Sequence, residues 1–118
     1  MTVEQFEGSR GLPAEIKALE EARKTFTIAK YIKVIDEIIA QRVLQMVEVE
    51  QIIKQIGDPI QRRVMFSYIG GKRTTFEAIA CAENYCLRTI SRVYKAGIDD
   101  LVNKGLLTDT ENTRENAL

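Results

Sequence analysis

Residues Thr74 to Leu101 read TTFEAIACAENYCLRTISRVYKAGIDDL, two helical apolar periods separated by only three residues. That spacing constrains the fold more than any other feature of the chain. Thr75 suits the N-cap of a first helix whose inner face carries Phe76, Ile79 and Ala80, with Ala82 close behind. Glu83, Asn84 and Tyr85 form the turn, and Asn84 stands where the chain bends sharply, being one of the few non-glycine residues that tolerate the left-handed conformation. A second helix begins near Cys86. Its apolar residues Ile90, Val93, Ile98 and Leu101 stay near one face, while Arg88, Thr89, Ser91, Arg92 and Lys95 point mostly elsewhere.

Two short helices joined by a tight turn, with basic and hydroxyl side chains on the outside of the second, have the layout of a helix-turn-helix reader of double-stranded DNA. The charge distribution agrees with that layout. The chain has 118 residues and no net charge, yet residues 58–96 hold 7 basic and 3 acidic side chains, against 8 and 9 in residues 1–57 and 2 and 5 in residues 97–118. A local cationic excess is what counterion release from phosphates requires.

Composition excludes several other classes. No stretch approaches the roughly 20 apolar residues of a membrane span, and the N-terminus lacks the apolar run of a signal peptide, so a cytoplasmic protein with no membrane partner is expected. Cys81 and Cys86 lack partners at metal-ligand spacing, histidine is absent, and free, largely buried thiols are expected. Without histidine there is no Ser-His or Cys-His pair, and Gly70-Gly71-Lys72 is too short for a phosphate loop. No enzyme activity, small-molecule substrate, metal or cofactor is expected.

With 45% hydrophobic residues the chain can build one core. Residues 1–11, polar and containing Gly8, Ser9 and Gly11, read as a flexible leader. Pro13 suits a helix start, and Leu12, Ile16 and Leu19 support a short helix to about Lys24. After a break at Thr25 to Thr27, a seam with steps of four and three runs through Ile28, Ile32, Ile35, Ile39, Arg42, Met46, Val49, Ile53 and Ile56. Its first eight positions are the expected oligomer interface, making 12–57 a bundle or coiled-coil oligomerisation segment. Arg42 either snorkels to the edge of the seam or pairs with Asp36, Glu37 or Glu48 across a dimer interface. A second strip, Val34, Ile38, Val43, Leu44 and Val47, widens the buried face, so this helix is expected to pack against more than one neighbour. Asp58 and Pro59 cap and start the next helix, whose Ile60, Val64, Met65, Tyr68 and Ile69 face a core; Asn103 to Leu106 reads as a glycine-capped helix end. Residues 58–106 thus form the helix-turn-helix region and 107–118 a disordered tail. The expected fold is all-α: an N-terminal helical oligomerisation segment followed by a three-helix DNA-binding unit.

On the DPIQRRVMFSYIGG helix, the T-F-E-A-I-A helix, the N-Y turn and the L-R-T-I-S-R-V-Y-K-A helix, Asp58 to Leu101 resembles region four of bacterial sigma factors and, more closely, the ArpU/RinA group of phage and prophage transcriptional regulators. The resemblance covers roughly 44 residues. It implies that Leu87, Arg88, Ser91, Arg92 and Lys95 face the major groove, and that Arg62, Arg63, Lys72 and Arg73, with Thr75 and Thr89, touch the DNA backbone. Three features depart from the group's pattern: Cys86 stands where Ser or Thr usually caps, Gly97 replaces an alanine, and the Gly70 to Thr74 loop is longer. The role so implied is a homodimeric or higher oligomeric regulator that activates late or integration-linked phage genes in a bacterial host, with host RNA polymerase as a further partner. A small terminase subunit marking viral DNA for packaging is the nearest alternative. Another is a helix-turn-helix module that contacts RNA polymerase or a repressor and never engages DNA.

Overall fold

Helix caps punctuate the chain. The computed structural model describes residues 1–73 and 75–108. Its helices are α1 (Val3–Gly8), a 3₁₀ turn (Ser9–Gly11), α2 (Leu12–Thr25), α3 (Ala29–Ile53), α4 (Pro59–Ile69), α5 (Phe76–Glu83) and α6 (Leu87–Asn103). The fold is all-α, with no strand among the described residues beyond an isolated bridge between Thr2 and Thr108. The Asp58 carboxylate accepts from the N–H groups of Ile60 and Gln61 at 2.8 and 3.1 Å, and Pro59 follows at the first helical position. At the far end, Leu106 N–H reaches Leu101 C=O and Gly105 N–H reaches Val102 C=O, both at 3.0 Å, with Gly105 at φ +75°. This is a Schellman stop, in which glycine takes the left-handed residue.

Phe6, Ile53, Ile56, Val64, Met65, Ile69, Ile79, Ile90 and Leu101 are under 2% exposed and form one core. It joins α1, the end of α3 and all of α4 to α6. The helices α4 and α6 meet closely because Gly97 is in the buried stripe of α6: a Cβ there would lie 2.8 Å from Met65 Cε. Tyr94 is also in that stripe, with Ile90 and Leu101, whereas Val93 and Ile98 are half-buried at its edges.

The first eleven residues are not a loose leader. Thr2 Oγ1 accepts from Gln5 N–H at 3.1 Å while Gln5 Oε1 accepts from Thr2 N–H at 2.9 Å, a reciprocal capping box that starts α1. Phe6 is then fully buried, and its apolar surface holds the segment down. Val3 N–H also bonds Thr108 C=O at 3.1 Å, and Thr108 N–H bonds Met1 C=O at 3.0 Å. Leu107 is buried against the same core, so the expected disordered tail does not begin at 107; its remainder, 109–118, lies outside the described residues.

The long seam is also differently used. α2 folds back antiparallel to α3, fixed by Arg42 Nε to Glu15 Oε1 and Arg23 Nε to Asp36 Oδ1, both 2.6 Å. The Asp36 carboxylate holds Arg23 above the ordinary guanidinium pKa, mainly through the hydrogen bond. Arg42 therefore meets an acid within its own chain, and one on α2. Ile35, Val49 and Ile53 are buried by the chain's own helices, Ile32, Ile39, Arg42 and Met46 are half-buried, and Ile28 is exposed. Among the described residues, seven of the nine large apolar side chains left exposed are Phe26, Ile28, Tyr31, Val34, Val43, Leu44 and Val47. Apolar surface thus remains open on α3 and its turn, mostly off the expected seam, and the second strip does not widen the buried face: Val34, Val43, Leu44 and Val47 are exposed and Ile38 is half-buried, because α2 and the core cover only the Ile35 side.

Candidate nucleic-acid interface

The α5–α6 pair is built by local chemistry. Thr75 Oγ1 accepts from Ala78 N–H at 3.1 Å to start α5, and Asn84 ends it at φ 58°, ψ 36°. This is the left-handed residue that the turn requires, and Tyr85 N–H closes on Ala80 C=O at 3.0 Å. Cys86 then takes the N-cap position of α6 in extended conformation, without a side-chain capping hydrogen bond. Its Sγ instead lies 3.0 Å from Thr89 Oγ1, and that hydrogen bond is the largest cause of a thiol pKa below the ordinary value. Both cysteines are free, as expected, but exposed: Cys86 is at the turn, and Cys81 is on the side of α5 away from Ile79 and Ala80.

Ile90, Tyr94, Gly97 and Leu101 bury one side of α6. Leu87, Arg88, Ser91, Arg92 and Lys95 are all exposed. At about 100° per residue these five span an arc of roughly 140°, beginning beside Tyr94 with Leu87 and turning away from the buried stripe through Arg92. Among the described residues, Arg88, Arg92 and Lys95 carry no ion pair and no side-chain hydrogen bond to another residue. Their charges are thus not neutralised by Glu83 or Asp99. A shallow depression lined by Tyr68, Thr75, Phe76, Glu77, Leu87 and Ser91 links the start of α5 to the start of α6. Glu77 and the exposed Asp99 mark the acidic edges of the cationic face.

The expected backbone set is scattered in its state. Lys72 is exposed and Arg73 half-buried, both in the loop before α5 and without ion pairs among the described residues. Arg63 is exposed but bonds Glu83 at 3.2 Å. Arg62 is half-buried and its Nη1 donates to Ile56 C=O at 3.3 Å, tying α4 to the end of α3. The Thr75 hydroxyl is used in its cap, and Thr89 is half-buried beside Cys86, off the arc of Leu87 to Lys95.

Beneath this face lies a cluster that the sequence reading missed. Tyr68, Phe76 and Tyr94 stack with ring centroids 4.5, 5.1 and 5.2 Å apart, and the Arg10 guanidinium sits 3.7 Å above the Tyr68 ring. Arg10 also donates to the Tyr68 hydroxyl and carbonyl at 2.9 and 3.2 Å. Tyr94 donates to Glu7 Oε2 at 2.6 Å; burial first, then that carboxylate, pushes its pKa far above the ordinary value. Residues 7–10 thereby brace the back of α6. The available signal was the spacing of Thr2 and Gln5 ahead of Phe6, a capping-box pattern.

Among the described residues no cluster of acidic or cysteine side chains could hold a metal, and no helix is long and apolar enough to cross a membrane. Comparison with known protein families, curated proteins and solved structures finds no match to this chain.

Proposed function

We propose that this chain is a sequence-specific DNA-binding transcriptional regulator that acts without enzymatic chemistry, with α6 entering the major groove. One observation carries the reading: Arg88, Arg92 and Lys95 share the exposed face of a helix braced from behind, and none is spent on an acid within the described chain. An arginine fork can bond guanine O6 and N7 together, which gives base discrimination, whereas lysine and hydroxyl groups position the helix on phosphates. Lys72 and Arg73 before the start of α5 suit backbone contact. The phage setting and the activating role rest on the ArpU/RinA resemblance, and the cytoplasm of a bacterial host is the compartment it implies.

Duplex titrations test this reading. Arg88→Ala or Arg92→Ala should relax base preference at one position by about 1–3 kcal/mol. Lys72→Ala should instead weaken all duplexes alike and lower the salt slope by about 1. Arg62 has become a structural control, because its bond to Ile56 makes Arg62→Ala a test of stability. Unchanged selectivity in both α6 variants would remove the assignment. A second reading, contact with host RNA polymerase or a repressor, is favoured by the exposed apolar Tyr85 and Leu87 at the turn.

A further inference from the structure

The α2–α3 arm stands off from the rest of the fold, and its far end is apolar. Of α3, only Val49, Ile52 and Ile53 join the core shared with α4 to α6, and α2 packs mainly on α3. Where α2 turns into α3, four of the nine large apolar side chains left exposed among the described residues fall between positions 26 and 34: Phe26, Ile28, Tyr31 and Val34, at 42%, 54%, 50% and 49%. Phe26 and Tyr31 meet edge to face with ring centroids 6.0 Å apart, and with Lys30 and Val34 they wall a shallow depression against Ile35. Single exposed apolar residues are ordinary, whereas a contiguous group with two rings marks a contact surface.

Charge selects the occupant. Residues 22–35 hold Arg23, Lys24, Lys30 and Lys33 and no acid. Arg23 and Lys24 are taken by Asp36 and Glu21, but Lys30 and Lys33 form no ion pair among the described residues. Lys30 is the one charged group lining the depression. Glu37, one turn beyond Lys33, faces about 60° away from Val34 around the helix. A second copy presenting the same tip would set lysine against lysine. Nucleic acid could use the rings and lysines but gains nothing from Ile28 and Val34. A hollow walled by two rings and a valine suits one inserted apolar side chain, and the lysine at its edge suits a carboxylate beside it.

We propose that the tip of the α2–α3 arm docks another protein through an acidic segment of that partner, which seats a large apolar side chain between Phe26, Tyr31 and Val34 and sets a carboxylate against Lys30. The proposal goes beyond the DNA-binding reading and stands without it.

A phage-displayed library of random linear peptides, selected on the full chain and counter-selected on its Val34→Asp variant, tests this. Survivors should combine Leu, Ile, Phe or Trp with Asp or Glu and carry net negative charge. Synthetic copies should bind Val34→Asp and Lys30→Glu about tenfold or more weakly than wild type, and exchanging the peptide's acid for lysine should recover most of the loss on Lys30→Glu. Helical circular dichroism should not change in either variant, since both residues are exposed. Survivors without an acidic bias, or no survivors, would overturn the proposal. So would self-association, or binding to phosphatidylglycerol vesicles, that Val34→Asp abolishes, because the tip would then have a different occupant. Duplex binding should be the same in Val34→Asp as in wild type, so a chain that retains no DNA leaves this docking intact, and a tip that selects no peptide leaves the DNA reading intact.

Discussion

Tyr94 shows how one side chain can tie the stability of the fold to its candidate site. In the folded chain its hydroxyl is held protonated by burial and by the Glu7 carboxylate, whereas an unfolded tyrosine releases its proton near pH 10. The stabilising contribution is fully present below about pH 10 and is lost as pH rises further, because the unfolded chain then binds fewer protons than the folded one. Tyr94→Phe should cost about 1–2 kcal/mol at neutral pH, from the lost bond to a charged partner, and should flatten the alkaline fall in stability above pH 10. Denaturant melts from about pH 8 to 11 would show it, and an alkaline fall of equal steepness in the variant would place the cause elsewhere. Arg88 and Arg92 make the opposite kind of residue-scale claim. Among the described residues they have no acidic partner, so replacing them should change selectivity and leave melting unaltered.

Among the elements, α1 and α6 carry the sharpest expectations. A loose leader would make substitutions in residues 1–11 neutral; a packed α1 makes them costly. Phe6→Ala should destabilise by about 3–5 kcal/mol and Thr2→Ala by about 1 kcal/mol, both read from chemical denaturation. On α6, Gly97 permits the close crossing of Met65, and Gly97→Leu should cost about 1–3 kcal/mol by overpacking. A neutral result would mean that α4 and α6 have room to separate. The α5–α6 pair was readable from sequence because its determinants are local: the Thr75 cap, the left-handed Asn84 and the apolar period are all written within 28 residues. The docking of α1 was not, because Glu7 meets Tyr94 across 87 positions and no local period announces such a partner. Gly97, a departure from the alanine of the resembled group, is a packing residue against Met65, and its partner too lies far along the chain.

For the whole molecule, the α2–α3 arm is where the sequence said least. Periodicity finds a second apolar strip on α3 but not its burial, since Val34, Val43, Leu44 and Val47 are exposed, and it does not say which neighbour covers which side. The Ile35, Val49 and Ile53 seam fits a partner helix equally well whether that helix comes from the same chain or another, and α2 and the core take it. Ile53→Asp is therefore a folding lesion, since Ile53 is 1% exposed in the chain's own core. The reading of α6 as a DNA-contacting helix would be tested most directly by incubating the purified protein with random duplexes at near-physiological salt, recovering what is retained and sequencing it. The account predicts an enriched motif, arranged as an inverted repeat with half-sites about one helical turn apart. Retention of no DNA, or retention with no motif, would contradict it.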